Sequence, residues 1–577
     1  MKALFSVFNK EGILPLASYL MEAGWEIIST GGTSKHLRDN KIPVTDVSAL
    51  TGFPECLDGR VKTLHPAIHA GLLARRELES HIKTLKELKL ETIDLVCVNL
   101  YPFFEKIQAV NSGSAVLSLD ETIEFIDIGG PAMLRSAAKN FKDVVVLTDP
   151  ADYPETIDKL KAGKADTQFR KRLAGKVFSL TSAYDAAIAR FLLELEGASP
   201  EPSPVVSGRE DFNAASLYAE ENENKKNEYP SFWPLSLKKA QELRYGENGH
   251  QQAALYFNTS CPGALAGMEQ LHGKELGYNN IRDLDLAWKA ACTFGLASDG
   301  TPPMGEAELK RLVPGAAGRG LKICCTAVKH NTPCGIALGD TLLEAYEKTF
   351  ACDPVSIFGG IIASTATIDA STATKLSELF LEIIIAPDFE TEALEILKKK
   401  KNLRLMKAAH APRDTRECIA VDGGLLVQDT DKKLIEKWEQ VTKAAPVAED
   451  IPDLVFGMRA VGFVKSNAIM VIKDLAATGI GGGQVNRIWP TMQALERSTA
   501  AITAAGSRDG PWKDSKCARV LASDAFIPFP DVIEAAAEAG IKSIIQPGGS
   551  VNDKAAIEAC DRLNLAMVFT GIRHFKH

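Results

Sequence analysis

Val328-Lys329-His330-Asn331-Thr332 follows an apolar run, and a variant of it returns as Val464-Lys465-Ser466-Asn467. Each soon leads to a glycine cluster, Phe358-Gly359-Gly360 after the first and Gly481-Gly482-Gly483 after the second. Two related units in one chain predict duplicated half-domains that face each other across a cleft. The first copy sets a histidine beside a lysine, equipment for moving protons near developing negative charge. The second copy has serine in the histidine's place. One half is therefore expected to carry the chemistry and the other to position.

The frame around these segments is an ordinary soluble one. The chain has 577 residues, enough for roughly three or four domain-sized units. A hydrophobic fraction of 45% and a charged fraction of 24% are typical of globular proteins. The net charge of -8 argues against a nucleic-acid partner, which needs a basic face. It leaves anionic small substrates open, since a pocket can be locally positive on an acidic protein. The apolar stretch after Met1-Lys2 is too short for a signal peptide, and no run approaches the length that spans a bilayer. The eleven cysteines are scattered and odd in number, which predicts reduced thiols in a cytoplasmic protein with no membrane partner.

The first third alternates strands and helices. Buried strands are expected at 3–7, 25–28, 94–100 and 144–147, with helices over 12–22, up to about Asn40, and through about Glu196. This alternation predicts a mostly parallel sheet covered by helices. A Pro/Ser-rich linker follows at 197–204, and a charged stretch at 220–226. The expected domains are 1–196, a linker 197–240, and 241–577. Residues 300–320, rich in Gly, Pro and charge, read as a surface excursion. A helix over 391–401 is expected to end in the solvated run Lys398-Lys399-Lys400-Lys401.

Ser29-Thr30-Gly31-Gly32-Thr33-Ser34-Lys35 lies between a strand and a helix. Glycines let backbone N–H groups approach a phosphate, and the helix N-terminus favours its charge. An ordinary tight turn with an N-cap is the other reading. Arg60-Val61-Lys62-Thr63-Leu64-His65-Pro66 gathers two cations, a hydroxyl and a histidine. Asn99-Leu100-Tyr101-Pro102 ends a strand, where α/β sites open. Asp127-Ile128-Gly129-Gly130 and Lys139-Asn140 follow. Each has a plain structural use: Asp127 could cap a turn, Lys139 could be solvated, and His65 could be a core histidine. Their gathering at the strand ends and loops of one sheet favours a site.

These motifs resemble, in order and over essentially the whole chain, those of the bifunctional AICAR formyltransferase / IMP cyclohydrolase family of purine biosynthesis. The second domain adds Leu243-Arg244-Tyr245-Gly246-Glu247-Asn248, Lys465-Ser466-Asn467 and the ending Arg573-His574-Phe575-Lys576-His577. The resemblance implies a methylglyoxal-synthase-like parallel-sheet domain followed by two cytidine-deaminase-like α/β halves. The first domain would close the ring of FAICAR to give IMP and water. Ser6, Lys10, Ser29, Thr30, Gly31, Gly32 and Thr33 would hold the 5′-phosphate. Arg60, Lys62, Thr63, Asn99, Gly129 and Gly130 would line the site, and Tyr101, Asp127 and Lys139 would move protons. No metal is implied.

The second domain would move a formyl group from 10-formyltetrahydrofolate to the 5-amino group of AICAR. The amine is a poor nucleophile and needs a base as it attacks. His330 is the candidate, because histidine titrates near neutral pH. Lys329 would stabilise charge, and Asn467 would donate to the formyl oxygen. Arg244 and Tyr245 look placed for the nucleotide, and Arg487 and Arg573 for anionic groups. Asn280, Phe358, Glu382, Phe526 and Asp531 match positions lining the AICAR or folate pocket, although phenylalanines more often serve as core. Gly249 and Glu382 depart from the common pattern. The zinc deaminase signature is missing, since Asn331-Thr332 follows His330 and Pro333-Cys334 has no second cysteine in place. A homodimer with transformylase sites at its interface is also implied. Two other readings remain at this stage: a methylglyoxal-synthase-type lyase with an unrelated tail, and a nucleotide sensor. The lyase leaves Lys329-His330 unexplained, and the sensor has no need of Lys62, Tyr101, Asp127 and Lys139.

Overall fold

Short apolar runs ending in polar or glycine-bearing turns build the strands of the first unit. They are β1 (Lys2–Val7), β2 (Glu26–Ser29), β3 (Thr45–Asp46), β4 (Leu95–Asn99) and β5 (Val145–Leu147). The strands are parallel, in the order β3-β2-β1-β4-β5. Sheets of this kind are covered on both faces, and Leu4, Phe5, Val96 and Leu147 are wholly buried. Helices Ile13–Glu22, Gly31–Asp39, Gly129–Lys139 and Thr167–Glu194 belong to this unit. The predicted strands are present with their ends shifted by a residue.

The computed structural model describes residues 1–100, 103, 118–194, 235–259, 263–313, 321–505, 511–512 and 517–577. Tyr101 lies outside the described residues, as do 195–234 of the linker region. The chain divides into two compact units, Met1–Lys238 with Tyr256–Cys261, and Lys239–Leu255 with Pro262–His577. β6 (Leu237–Leu243) and β7 (Ala253–Asn258) pair with each other.

The second unit is built on a twelve-stranded sheet. Its first half supplies β8 (Glu269–His272), β9 (Ile323–Lys329), β10 (Thr332–Gly339), β11 (Ile361–Ser364), β12 (Ile383–Ala386) and β13 (Arg404–Lys407). β14 (Arg416–Val421) and β15 (Gly424–Asp429) form a separate hairpin. The second half supplies β16 (Glu439–Gln440), β17 (Ile469–Lys473), β18 (Ala476–Gly481), β19 (Val520–Ser523), β20 (Ser543–Gln546) and β21 (Ala566–Phe569). The order is β16-β21-β20-β19-β17-β18-β10-β9-β11-β12-β13-β8.

Read outward from β10–β18, the halves repeat each other. A hairpin comes first, then an antiparallel neighbour (β11 or β19), then two parallel strands, then a short antiparallel edge. Helices correspond as well, Tyr278–Cys292 to Ile451–Val461 and Leu342–Cys352 to Ile488–Ala505. The duplication is therefore real, but its anchor differs from the sequence reading. His330-Asn331 is the turn of hairpin β9–β10, and its counterpart is Asp474-Leu475 between β17 and β18. All four residues hold positive φ, 53° and 55° in the first turn, 50° and 60° in the second. A two-residue hairpin requires that conformation, whatever side chains it carries. Val464-Lys465-Ser466-Asn467 precedes β17 and occupies no equivalent place.

Two further expectations change. Residues 300–320 are not only a surface excursion: helix Glu306–Leu312 buries Leu309, and Glu306 pairs with the buried Arg459 at 3.3 Å. Helix Thr391–Leu397 ends before the lysine run, and Lys398 caps it.

Candidate active sites

In the first unit the carboxyl ends of β1 and β2 place Ser6 beside Thr30, their hydroxyls 3.2 Å apart. Helix Gly31–Asp39 starts there, capped by the extended Thr30. Thr33 exchanges two hydrogen bonds with the Val7 backbone, accepting from its N–H at 3.1 Å and donating to its carbonyl at 3.0 Å. The result is a hydrogen-bonded loop with exposed glycines at the helix N-terminus, the arrangement that suits a phosphate. Ser29 is different: it is buried and donates to the Phe5 carbonyl at 2.8 Å, so its hydroxyl binds strand to strand. Lys10 donates to the Val7 and Phe8 carbonyls, both at 2.8 Å, and burial lowers its pKa. Asn99 accepts from the Phe8 and Asn9 N–H groups at 2.6 and 2.9 Å, shaping the same loop.

Lys62 reaches this loop from the other side. Its Nζ would lie 3.7 Å from a Cβ at Gly31, and it pairs with Glu55 at 2.8 Å. The Thr63 hydroxyl sits so close over Gly129 that any side chain there would collide with it. Gly130 N–H donates to Asp127 at 2.9 Å, and the Tyr184 hydroxyl accepts from Asp127 N–H at 2.7 Å. Burial raises the Asp127 carboxyl above the ordinary range, against the Gly130 and Gly129 amides that lower it. Ser6, Thr30, Gly31, Lys62, Thr63, Gly129 and Asp127 thus follow one another through space.

Lys139, Arg60 and His65 have other partners. Lys139 closes helix Gly129–Lys139, about 15 Å of helical rise from its start, so it does not meet Asp127 within this unit. It lines a groove with Arg135, Lys171 and Phe178 instead. Arg60 is exposed and paired with Glu124. His65 accepts from Ala67 N–H at 3.1 Å and caps helix Pro66–Leu73, a structural task.

In the second unit the sheet itself gathers the site. The β10–β18 ladder is confined to Ala337↔Ala476. Antiparallel register then carries the His330 turn and the Gly481 end of β18 to the same end of the sheet. Ile469 pairs with Gly481, which brings Asn467 there too. Gly483 N–H donates to Lys465 O at 2.7 Å and Asn467 N–H to Gln484 O at 3.0 Å. The two quoted lysine segments therefore lie at the same end of the sheet without being repeats. Lys329 Nζ donates to Phe358 O at 2.7 Å, and Glu382 N–H to Gly360 O at 3.0 Å. Phe526 and Arg573 follow the carboxyl ends of β19 and β21 at this same end. Phe358 is 54% exposed and Phe526 37%, so neither is a core residue.

Asn467 is held on both sides of its amide. Its Nδ2 donates to Gln484 O at 2.9 Å, and its Oδ1 accepts from Arg487 at 2.6 Å. Arg487 is buried, pairs with the wholly buried Asp524, and donates to Ser523 Oγ at 3.1 Å. This corrects the reading of Arg487 as a free anion binder: its charge is already matched, and it orients Asn467. Arg487→Met strands the Asp524 carboxylate and is expected to lower stability by about 3–5 kcal/mol. Chemical denaturation of the variant measures it.

Arg244 packs over the Tyr245 ring with its Cζ 5.8 Å from the centroid. Their loop is closed by Gly246 N–H to Gln251 O at 2.7 Å and Asn248 N–H to Gln251 Oε1 at 2.8 Å. A side chain at Gly249 would meet nothing within 4 Å. Helix Tyr278–Cys292 holds it, through Arg282 to Glu247 at 3.0 Å and Asn279 to Glu247 O at 3.2 Å. Asn280 accepts from Gly277 N–H at 3.2 Å and caps that helix. Glu382 pairs with Arg404 at 2.8 Å. Asp531 accepts from Val532 N–H at 2.8 Å, and Arg573 stacks 4.8 Å over Phe575. Asp283, Arg282, Asp524 and Gln484 were not singled out from sequence. Their work is to hold backbone and amide groups, and no local pattern marks it. Among the described residues no cluster of His, Cys, Asp and Glu is arranged to hold a metal, and no helix is long and apolar enough to cross a membrane.

These features describe an α/β enzyme with one candidate site on a parallel sheet and another on a duplicated sheet. Residues 137–497 match the AICARFT/IMPCHase bienzyme family, and residues 12–132 the MGS-like domain. Relatives named bifunctional purine biosynthesis protein PurH from Fusobacterium nucleatum, Clostridium acetobutylicum and Clostridium botulinum (strain Kyoto) are 51%, 50% and 49% identical. Each alignment covers 100% of this chain and 99% of the relative. The chain belongs to the AICARFT/IMPCHase bienzyme family. It is a bifunctional enzyme of the last two steps of IMP synthesis, with a formyltransferase activity that draws on a folate one-carbon donor and a cyclohydrolase activity.

Proposed function

We propose that the domain spanning 1–196 closes FAICAR to IMP and that the domain spanning 241–577 transfers the formyl group of 10-formyltetrahydrofolate to AICAR, with 197–240 as linker. In the transfer the 5-amino nitrogen attacks the formyl carbon, His330 takes the amine proton, and the folate N10 leaves protonated as tetrahydrofolate. Lys329 and the remaining N–H of Asn467 face the oxygen on which charge develops. Arg244, Tyr245 and Arg573 bind the nucleotide. Phe358, Phe526, Glu382 and Asp531 line the folate side.

In ring closure the carboxamide nitrogen attacks the formyl carbon of the same molecule, and the hydroxyl so formed leaves as water. Both groups sit on one substrate, so holding them together is much of the catalysis. The Ser6–Thr30–Thr33 loop and Lys10 take the phosphate. Lys62 and Thr63 face the reacting carbonyl, and Asp127 and Tyr101 exchange its protons. Lys139 is left out of that group. The enzyme acts in the cytoplasm as a homodimer, with transformylase sites at the interface. Neither site calls for nucleic acid, membrane or metal.

The observation that carries the reading is the placement of the Lys329-His330 turn and Asn467 at the same end of the duplicated sheet. The test supplies purified enzyme with AICAR and 10-formyltetrahydrofolate and follows tetrahydrofolate and IMP together. Both products are expected. Tetrahydrofolate with accumulating FAICAR would remove the cyclohydrolase half, and neither product from folded protein would overturn both.

A further inference from the structure

The turn that bears His330 is unusual in its backbone. Two consecutive residues with side chains hold positive φ, where glycine is at ease and others are strained. Something has to keep the turn there. Asp283, on helix Tyr278–Cys292, accepts from both turn amides, from His330 N–H at 3.1 Å through Oδ2 and from Asn331 N–H at 2.6 Å through Oδ1. Each oxygen takes one N–H. The same helix anchors the Arg244–Asn248 loop one residue earlier, through Arg282. One helical turn thus holds two segments of the transformylase site.

The second half repeats the device on a turn with no histidine. Asp453, on helix Ile451–Val461, accepts from Asp474 N–H at 3.0 Å and Leu475 N–H at 2.7 Å. Burial raises the carboxyls of Asp283 and Asp453, that of Asp453 to about 6. The latch alone is a folding device, then, since one copy serves a turn outside the chemistry. The copies differ in what the latched turn carries.

We infer that Asp283 is a positioning residue for formyl transfer, fixing the backbone of the His330–Asn331 turn and through it the direction of the imidazole. This rests on the reading of His330 as the base. The native protein contains its own control. An asparagine in either aspartate's place keeps one acceptor and turns a donor against the other N–H, so both variants lose one bond to a turn. Both should melt at lower temperature.

Asp283→Asn is expected to lower kcat for transfer by about 100-fold, leaving the KM for AICAR and the cyclisation of supplied FAICAR at their parent values. Asp453→Asn should keep the parent kcat. Should Asp283→Asn fail to fold, Asp283→Glu reads the same split, since it keeps both oxygens but displaces them by a methylene. Parent kcat in the folded Asp283 variant, or an equal loss in Asp453→Asn, overturns the inference. His330→Ala assayed alongside separates the two ideas. If that variant still transfers formyl, the reading of His330 fails. If it is dead while Asp283→Asn is normal, only the positioning role fails.

Discussion

His330→Asn is expected to lower formyl transfer by about 10²–10⁴-fold, the usual contribution of a positioned general base. Cyclisation of supplied FAICAR should be unaffected. Asparagine is the cleaner replacement because it tolerates the positive φ of the turn and leaves the Asp283 bonds in place. It offers no group that titrates near neutral pH. Alanine removes the base as well but strains the turn, so agreement between the two separates lost chemistry from lost geometry. The amine of AICAR has little nucleophilicity to spare, which is why the loss should fall on kcat. Unimpaired transfer would take His330 out of the mechanism. Loss of both activities would dissolve the assignment of two independent sites.

Lys62→Ala should do the reverse, reducing cyclisation by about 10²–10³-fold, the scale of one lost donor at a developing oxyanion. Its cost to the fold should be small, because its partner Glu55 is half exposed and an exposed ion pair contributes little. Lys62 reaches the Gly31 loop and directly precedes Thr63, whose hydroxyl lies against Gly129. With AICAR and 10-formyltetrahydrofolate supplied together, tetrahydrofolate should still form while FAICAR accumulates. Normal cyclisation in the variant would leave Lys62 as a surface charge.

How far these residues could be read beforehand depended on the physics holding each one. β4 was legible because a parallel strand is apolar on both faces, and Leu95-Val96-Cys97-Val98 leaves little else to be. The Thr30–Thr33 loop was legible because glycines and hydroxyls between strand and helix are a local pattern. The duplication was inferred, but from the wrong pair of segments. A hairpin turn is specified by dihedral angles and by a carboxylate from a distant helix, so Asp474-Leu475 shares no letters with His330-Asn331. Arg487 was misread for a related reason: the Asp524 that neutralises it lies 37 residues away. Lys139 was misplaced although the means to place it were local. It lies ten positions along the helix from Gly129, and a helix that long cannot fold its end back onto its start.

The latched turn also sets a trade between durability and chemistry. Positions 330 and 331 hold a conformation in which glycine relieves strain. A library of variants sorted only for survival on heating is therefore drawn toward glycine at both. At 331 that drift is harmless to the base, whereas at 330 it erases the imidazole and leaves a sturdier protein that no longer transfers formyl groups. Thermostabilised forms of this enzyme would have to be screened for one activity at a time, because the cyclohydrolase would go on reporting a healthy protein after the transformylase had gone.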